Sequence, residues 1–214
     1  EQTLALQTKD TQLVAAVNVP AAAVHFPLDE NGNGKQADGT ELIAKPEGDV
    51  QFDDGVVGKS FKPAKSSWFE YGEAFNFEKD QPFSVSAYMQ VTADGGAPFG
   101  KMNDADGARG WDVEFHGLRP SVHLLHRWPN DAIHIQADED LAADVFTQLS
   151  FTYDGSGKAA GLKLYVNGAL AKTTVKMDGL KGSIQSGTPF SIGRRGATSV
   201  RFAGRVDDLR VYDR

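Results

Sequence analysis

The chain has 214 residues, and a hydrophobic content of 40% is enough to bury a substantial core. Its net charge of −7 argues against nucleic acid or an anionic membrane as the main partner. There is no cysteine, which excludes disulfides and thiolate metal sites, and no apolar run reaches the ~18 residues that a membrane span needs.

The N-terminal segment differs in pattern from the rest of the chain. Residues 1–20 lack strand alternation, and Leu13, Val14 and Val17 have helical spacing, so a short helix or linker is predicted there. We expect residues 21–214 to form one domain. Because the chain begins at Glu1, we interpret it as a processed or excised piece of a larger protein. Since it lacks a long apolar run, we expect no membrane insertion.

Strand patterns then follow one another at short intervals. In residues 82–92, for example, Phe83, Val85, Ala87 and Met89 alternate with polar residues and should share one buried face. Beyond the N-terminal segment, a helix is suggested only at 138–143. The other predicted strands lie at 22–29, 48–52, 55–61, 67–71, 97–102, 110–116, 121–128, 131–136, 169–176, 188–194 and 202–212. Many short strands separated by turns predict an all-β antiparallel sandwich of two sheets.

Residues 147–168 give the strongest local signal. Leu149, Phe151 and Tyr153 alternate with polar residues before a glycine-rich turn, and a second alternating run ends at Asn167-Gly168. This pattern predicts a β-hairpin with one buried and one solvated face.

Three segments together resemble a known family. They are 151–168, with Phe-Thr-Tyr-Asp-Gly and Leu-Tyr-Val-Asn-Gly; 202–213, with Asp-Asp-Leu-Arg-Val-Tyr; and 24–30, with Val-His-Phe-Pro-Leu-Asp-Glu. Their order and spacing resemble the laminin-G-like domains of the concanavalin A-like lectin/glucanase superfamily. The resemblance spans residues 22–214 and implies a jelly-roll β-sandwich, often with calcium near the paired termini. Members bind glycans or proteins, and some are glycosidases.

Oxygen-rich residues near the two ends suggest a calcium site. Calcium prefers carboxylate and carbonyl oxygens on turn-rich backbone. First and last strands usually neighbour each other in such a sandwich, so we predict a possible structural calcium ion at Asp29, Asn31, Asp207 and Asp208. The alternative is a solvated turn, with the inward carboxylate held by backbone N–H groups or by Arg205.

The middle of the chain concentrates aromatic, histidine and charged residues. Sugar sites stack a ring on an aromatic side chain and hold hydroxyl groups with charged ones. The candidate ligand-binding residues are Lys101, Arg109, Trp111, Asp112, Glu114, His116, His123, Arg127 and Trp128. The alternative is that the tryptophans are core residues and the histidines ordinary cross-strand partners. Zinc at His123 and His126 is disfavoured, because a separation of three puts them on opposite faces.

A glycosidase pattern is incomplete in this segment. Laminarinase-type glucanases of the resembled superfamily carry Glu-x-Asp-x-Glu on one strand, and here Asp112 and Glu114 match the last two acids. Gly110 replaces the acid that serves as nucleophile in those enzymes. We therefore expect no enzymatic activity.

These observations favour a non-catalytic, lectin-like carbohydrate-binding accessory domain of a larger secreted bacterial protein. Such a domain would be extracytoplasmic, with carbohydrate or other domains of the parent protein as partners. A protein-interaction or spacer module is the alternative, and a divergent glycoside hydrolase is the third hypothesis.

Overall fold

The computed structural model describes residues 21–64, 66–196 and 200–214. The helix or linker predicted at 1–20 lies outside the described residues and stays a prediction. Within the described part, no helix has the length and apolar character needed to cross a membrane.

The described residues form eighteen strands and two short 3₁₀ helices. The strands are β1 Val24–Phe26, β2 Gly34–Gln36, β3 Glu41–Leu42, β4 Lys45–Glu47, β5 Gln51–Asp54, β6 Lys59–Lys62, β7 Trp68–Glu70, β8 Phe83–Val91, β9 Gly96–Asn103, β10 Arg109–His116, β11 Arg119–Arg127, β12 Asp131–Ala137, β13 Phe146–Tyr153, β14 Leu162–Val166, β15 Ala169–Leu170, β16 Thr173–Asp178, β17 Ser191–Ile192 and β18 Gly204–Tyr212. The 3₁₀ helices are Asp104–Asp106 and Ala159–Gly161.

These strands make two antiparallel sheets, which confirms the predicted two-sheet jelly-roll sandwich. The terminal sheet has the order β15-β14-β13-β8-β18-β1-β2-β3, with β6 paired to β18 and β5 paired to β6. The middle sheet has the order β16-β12-β11-β10-β9-β17-β7-β4. The first and last strands lie side by side in the terminal sheet, with Val24 opposite Val211.

Alternating hydrophobic residues of both sheets fill the space between them. β8 buries every second side chain from Phe83 to Val91, and β13 does the same opposite it. Trp111 of β10 lies at the centre, against Phe83, Phe151 and Phe190, with ring centroids 5.3 to 6.1 Å away. The outer faces are consequently left to polar side chains.

Two local predictions differ from the structure. The helix suggested at 138–143 is wrong: the segment is a loop whose Leu141 N–H donates to the Leu118 carbonyl instead of to a helical neighbour. The strands predicted at 48–52 and 55–61 are shifted to Gln51–Asp54 and Lys59–Lys62, with the turn after Asp54. Short strands such as β2, β3 and β4 were not predicted, because two or three residues are too few to show alternation.

Candidate functional site

The outer face of the middle sheet carries a row of polar side chains across three strands. Because Trp111 packs in the core, the next residue of β10, Asp112, points outward. Asp112 lies directly opposite His123 of β11, and His123 lies directly opposite His134 of β12. The antiparallel register of three consecutive strands therefore brings together three ionisable groups.

Arg195, which follows β17, crosses this face and binds its carboxylates. Its Nη1 donates to Glu114 at 2.8 Å and to Asp112 at 3.5 Å, and its Nη2 donates to Asp104 at 2.9 Å. Burial opposes the charge of the guanidinium, but the three carboxylates outweigh it and raise the pKa of Arg195. One cation thus compensates several acids, including the fully buried Asp112.

Two buried histidines lie beside the acids. His123 is 3% exposed, and its Nδ1 is 2.7 Å from Asp112 Oδ1. His134 is 7% exposed, its ring centroid is 4.1 Å from that of His123, and neither of its ring nitrogens has a hydrogen-bond partner. Burial, followed by the neighbouring His123 and His116, lowers the pKa of His134 from 6.5 to about 3.

A cavity of about 500 Å³ opens above this row. Its lining residues are Asp104, Gly107, Ala108, Glu114, His116, His123, Leu125, Trp128 and Arg195. Trp128 is 47% exposed and lies about 6 Å from the rings of His123 and His134. The cavity therefore combines an exposed aromatic wall with charged groups, the chemistry that sugar rings and their hydroxyl groups require.

Four of the nine predicted ligand residues lie elsewhere. Trp111 is 1% exposed in the core, where its Nε1 donates to the Phe75 carbonyl, so it cannot stack on a ligand. Lys101 is opposite Trp111 in register and equally buried, with its Nζ donating to the Thr188 carbonyl at 2.6 Å. Arg109 pairs with Asp106 in its own turn, and the exposed Arg127 is not among the lining residues.

The other five predicted residues come together at the cavity. Glu114, His116, His123 and Trp128 line it, and Asp112 lies beneath, bonded to His123. Arg195 and His134 were missed. Alternation with the apolar Ile133 and Ile135 could have put His134 on the outer face, but no local pattern connects Arg195 with acids more than 80 residues away.

The four predicted calcium ligands are only partly brought together. The backbone N–H groups of Val56 and Val57 donate to Asp207 Oδ2, and Asp207 Oδ1 is buried without a partner. Asp29 approaches the same turn, since its Oδ1 accepts from the Lys59 N–H at 2.7 Å. Asp29 and Asp207 therefore flank one turn.

The other two predicted ligands have different roles. Asp208 sits in a bulge with φ of 50° and binds His25 at 2.6 Å and Arg210 at 3.0 Å. Asn31 closes a local turn by accepting from the Asn33 N–H at 2.8 Å. Both side chains have partners within the chain, and their role as calcium ligands stays a prediction.

Clusters of three metal-ligating side chains occur elsewhere in the described ranges. One is His116, His123 and His134, and the other is Asp112, Glu114 and His123, each with its ligand atoms within 4.8 Å of one another. Both lie on the outer face of the middle sheet, whereas Asp29, Asp207 and Asp208 form no such group in the residues described.

The position of the missing glucanase acid has an unusual backbone. Gly110 has φ of 134°, and a Cβ atom there would lie 1.8 Å from the Lys101 carbonyl oxygen. A side chain at this position is strained and has no space. A third acid next to Asp112 and Glu114 is therefore incompatible with this backbone.

Comparison by sequence identifies one family. A laminin G-like family described as "Concanavalin A-like lectin/glucanases superfamily" matches residues 64–214, well over half of the chain. No curated protein has a sequence that matches.

Solved structures share the fold at low identity. The binding domain of Paraclostridial Mosquitocidal Protein 1 has a TM-score of 0.66 and 16% identity, covering 90% of this chain and 48% of that one. The binding domain of botulinum neurotoxin DC, in complex with rat synaptotagmin II, has a TM-score of 0.61 and 13% identity, covering 90% and 48%. The present chain thus spans about half the length of these binding domains.

A third structure matches along nearly its whole length. Domain 4 of AbnA, a GH43 extracellular arabinanase from Geobacillus stearothermophilus, was solved in complex with arabinotriose. It has a TM-score of 0.58 and 17% identity, covering 90% of this chain and 92% of that one. At these identities the likeness shows the fold alone.

Proposed function

The chain belongs to the concanavalin A-like lectin/glucanase superfamily, and we propose that it is a non-catalytic carbohydrate-binding domain of a larger secreted protein. The observation that carries the proposal is the cavity on the middle sheet. Trp128 presents an exposed aromatic face beside the charged Glu114 and Arg195. A sugar ring can stack on the indole while its hydroxyl groups bind the carboxylate and guanidinium.

The arabinanase domain supports carbohydrate as the proposed ligand class and a location outside the cytoplasm. It matches the present chain over nearly its whole length, belongs to an extracellular enzyme, and its structure was solved in complex with arabinotriose. An accessory domain of an extracytoplasmic polysaccharide-active protein fits this likeness.

The non-catalytic part of the proposal is supported by the chemistry around the two acids. Gly110 has no room for a nucleophilic acid, and Arg195 binds both Asp112 and Glu114. A general acid must donate a proton to the leaving group, whereas here both acids accept hydrogen bonds from Arg195. Reducing-sugar release by the wild type that disappears in Glu114→Gln would instead support a divergent glycosidase.

The direct test is a glycan array that includes arabino-oligosaccharides, run with calcium and with chelator. For the best ligand, calorimetry should show at least tenfold weaker binding by Trp128→Ala, which corresponds to about 1.4 kcal/mol. Trp128 is largely at the surface, so the variant should keep its fold. Tyr165→Ala, on the terminal sheet, is the matched aromatic control and should bind like the wild type. Absence of binding to any glycan would refute the proposal.

A protein-interaction or spacer role is the second candidate, favoured by the neurotoxin domain solved with synaptotagmin II. In that case the same face would be covered in the full-length parent protein. Hydrogen exchange on the parent and on the isolated domain would then show protection of β10 to β12 only in the parent, and glycan binding would be absent.

A further inference from the structure

We propose that His116, His123 and His134 bind one divalent transition-metal ion, with Zn²⁺ as the reference ion, at the floor of the cavity. The proposal is independent of the carbohydrate function, because it rests on the histidines and is tested with the metal alone. Each histidine comes from a different strand, β10, β11 and β12, so the site exists only in the folded sheet.

The geometry brings three imidazoles to one point. Their ligand nitrogens lie within 4.8 Å of one another. A tetrahedral zinc ion with Zn–N bonds of 2.0–2.1 Å needs nitrogens roughly 3.3 Å apart. Small side-chain rotations close this difference, and the exposed His116 has the most freedom to make them.

His123 is already held in the orientation of a metal ligand. A carboxylate only accepts hydrogen bonds, so the 2.7 Å contact with Asp112 places the proton of His123 on Nδ1. The lone pair of Nε2 is then free for a metal. Metal-binding histidines usually have such a carboxylate partner on the other ring nitrogen, and Arg195 holds the carboxylate of Asp112 in place.

His134 supplies an independent observation. It is more than nine-tenths buried, and both of its ring nitrogens lack a hydrogen-bond partner. Buried polar atoms in folded proteins are normally paired. A metal ion shared with His123, whose ring is 4.1 Å away, would give one of these nitrogens a partner.

The neighbouring acidic set is less suited to a metal. Asp112 and Glu114 both bind Arg195, and a cation would have to displace this guanidinium. Three imidazoles without a free carboxylate favour zinc, copper, nickel or cobalt over calcium and magnesium, which prefer oxygen ligands. Because His116 and His123 line the cavity, the remaining coordination position of the ion faces the cavity.

The test is calorimetry with ZnCl₂ on chelator-treated protein from which any histidine tag has been removed. The wild type should bind one equivalent. His116→Ala, which changes an exposed side chain, and His134→Phe, which keeps a ring in the buried site, should each weaken binding at least tenfold. Asp112→Asn, which replaces the carboxylate partner of His123 Nδ1 by a neutral amide, should weaken it about 10- to 100-fold.

The matched control is His126→Gln. His126 is on the same strand as His123 but on the other side, where it contacts the Ser183 carbonyl, so this variant should bind like the wild type. Failure of the wild type to bind zinc, or zinc binding as tight as the wild type by His116→Ala and His134→Phe, would overturn the proposal. Loss of binding in His126→Gln alone would overturn it too. Glycan binding in chelator is judged separately and does not bear on this result.

Discussion

Asp112 and Asp207 are both fully buried acids, one in each sheet, and they are compensated in different ways. Asp112 contacts two side chains that can carry a positive charge, Arg195 and His123. Asp207 has only backbone N–H groups on one oxygen, and its other oxygen has no partner. Asp112 is thus part of a polar site formed by neighbouring side chains, whereas the unpaired oxygen of Asp207 can still bind a cation.

The difference has a physical origin in the elements that surround each acid. Asp112 lies in the interior of a sheet, where neighbouring strands supply side chains at fixed register. Asp207 lies next to a bulge and faces the turn between β5 and β6, which offers mainly backbone groups. Burial accordingly raises the pKa of Asp207, more than the two turn N–H groups lower it.

The largest expected effect comes from removing the cation of the middle sheet. Arg195→Ala would leave the buried Asp112 and the partly buried Glu114 without their guanidinium, and we expect a loss of about 3 kcal/mol of unfolding free energy. Urea denaturation measures it. Arg127→Ala, which removes an exposed arginine of the same face, should stay within about 0.5 kcal/mol of the wild type. Equal losses of unfolding free energy in the two variants would show that Arg195 does not compensate the buried Asp112, which would remove the difference between Asp112 and Asp207.

A smaller effect is expected from calcium at the terminal sheet. Of the predicted calcium ligands, Asp29 and Asp207 flank one turn, and saturation with calcium at 100 times its dissociation constant would add about 2.7 kcal/mol to the free energy of unfolding. Thermal unfolding with calcium and with chelator measures the gain, which Asp207→Asn should abolish and Asp112→Asn should retain. A gain that survives Asp207→Asn but disappears in Asp112→Asn would reverse the assignment.

The smallest effect concerns pH. The folded-state pKa of Asp207 is raised above 3.8, chiefly by burial, so its contribution to stability is fully present below that value and is lost as pH rises through the folded pKa. The difference in unfolding free energy between the wild type and Asp207→Asn should therefore change between pH 3.5 and 7. The variant should be more stable relative to the wild type at pH 7 than at pH 3.5. Parallel curves would show that Asp207 ionises in the folded state as easily as in the unfolded state.

The sheets were predictable because their signals are local. Alternation in 82–92 and 147–168 predicted which side chains face the core, and β8 and β13 bury those residues. Strand parity around Trp111 places Asp112 and Glu114 on the same face of β10. The same parity left open whether Trp111 or Trp128 would face a groove, and the structure puts only Trp128 there.

The composition of the candidate site was less predictable. Lys101 and Arg109 are close in sequence to the aromatic residues, but their positions on β9 and β10 direct them away from the cavity. Asp208 directly follows Asp207 in sequence, but the bulge between Asp207 and Arg210 separates the directions of the two side chains. Proximity along the chain is a poor guide in a sheet, because successive side chains point to opposite faces.

The sequence by itself determined the all-β class, the superfamily and the identity of the buried faces, since each depends on periodicity or on contiguous motifs. Only the tertiary structure decided that Asp112, His123 and His134 stand in one row, that Arg195 neutralises the acids, and that Gly110 excludes a third one. These facts depend on the register between strands and on loop closure over more than 80 residues. Strand register is a property of pairing and packing, and no single segment of the sequence encodes it.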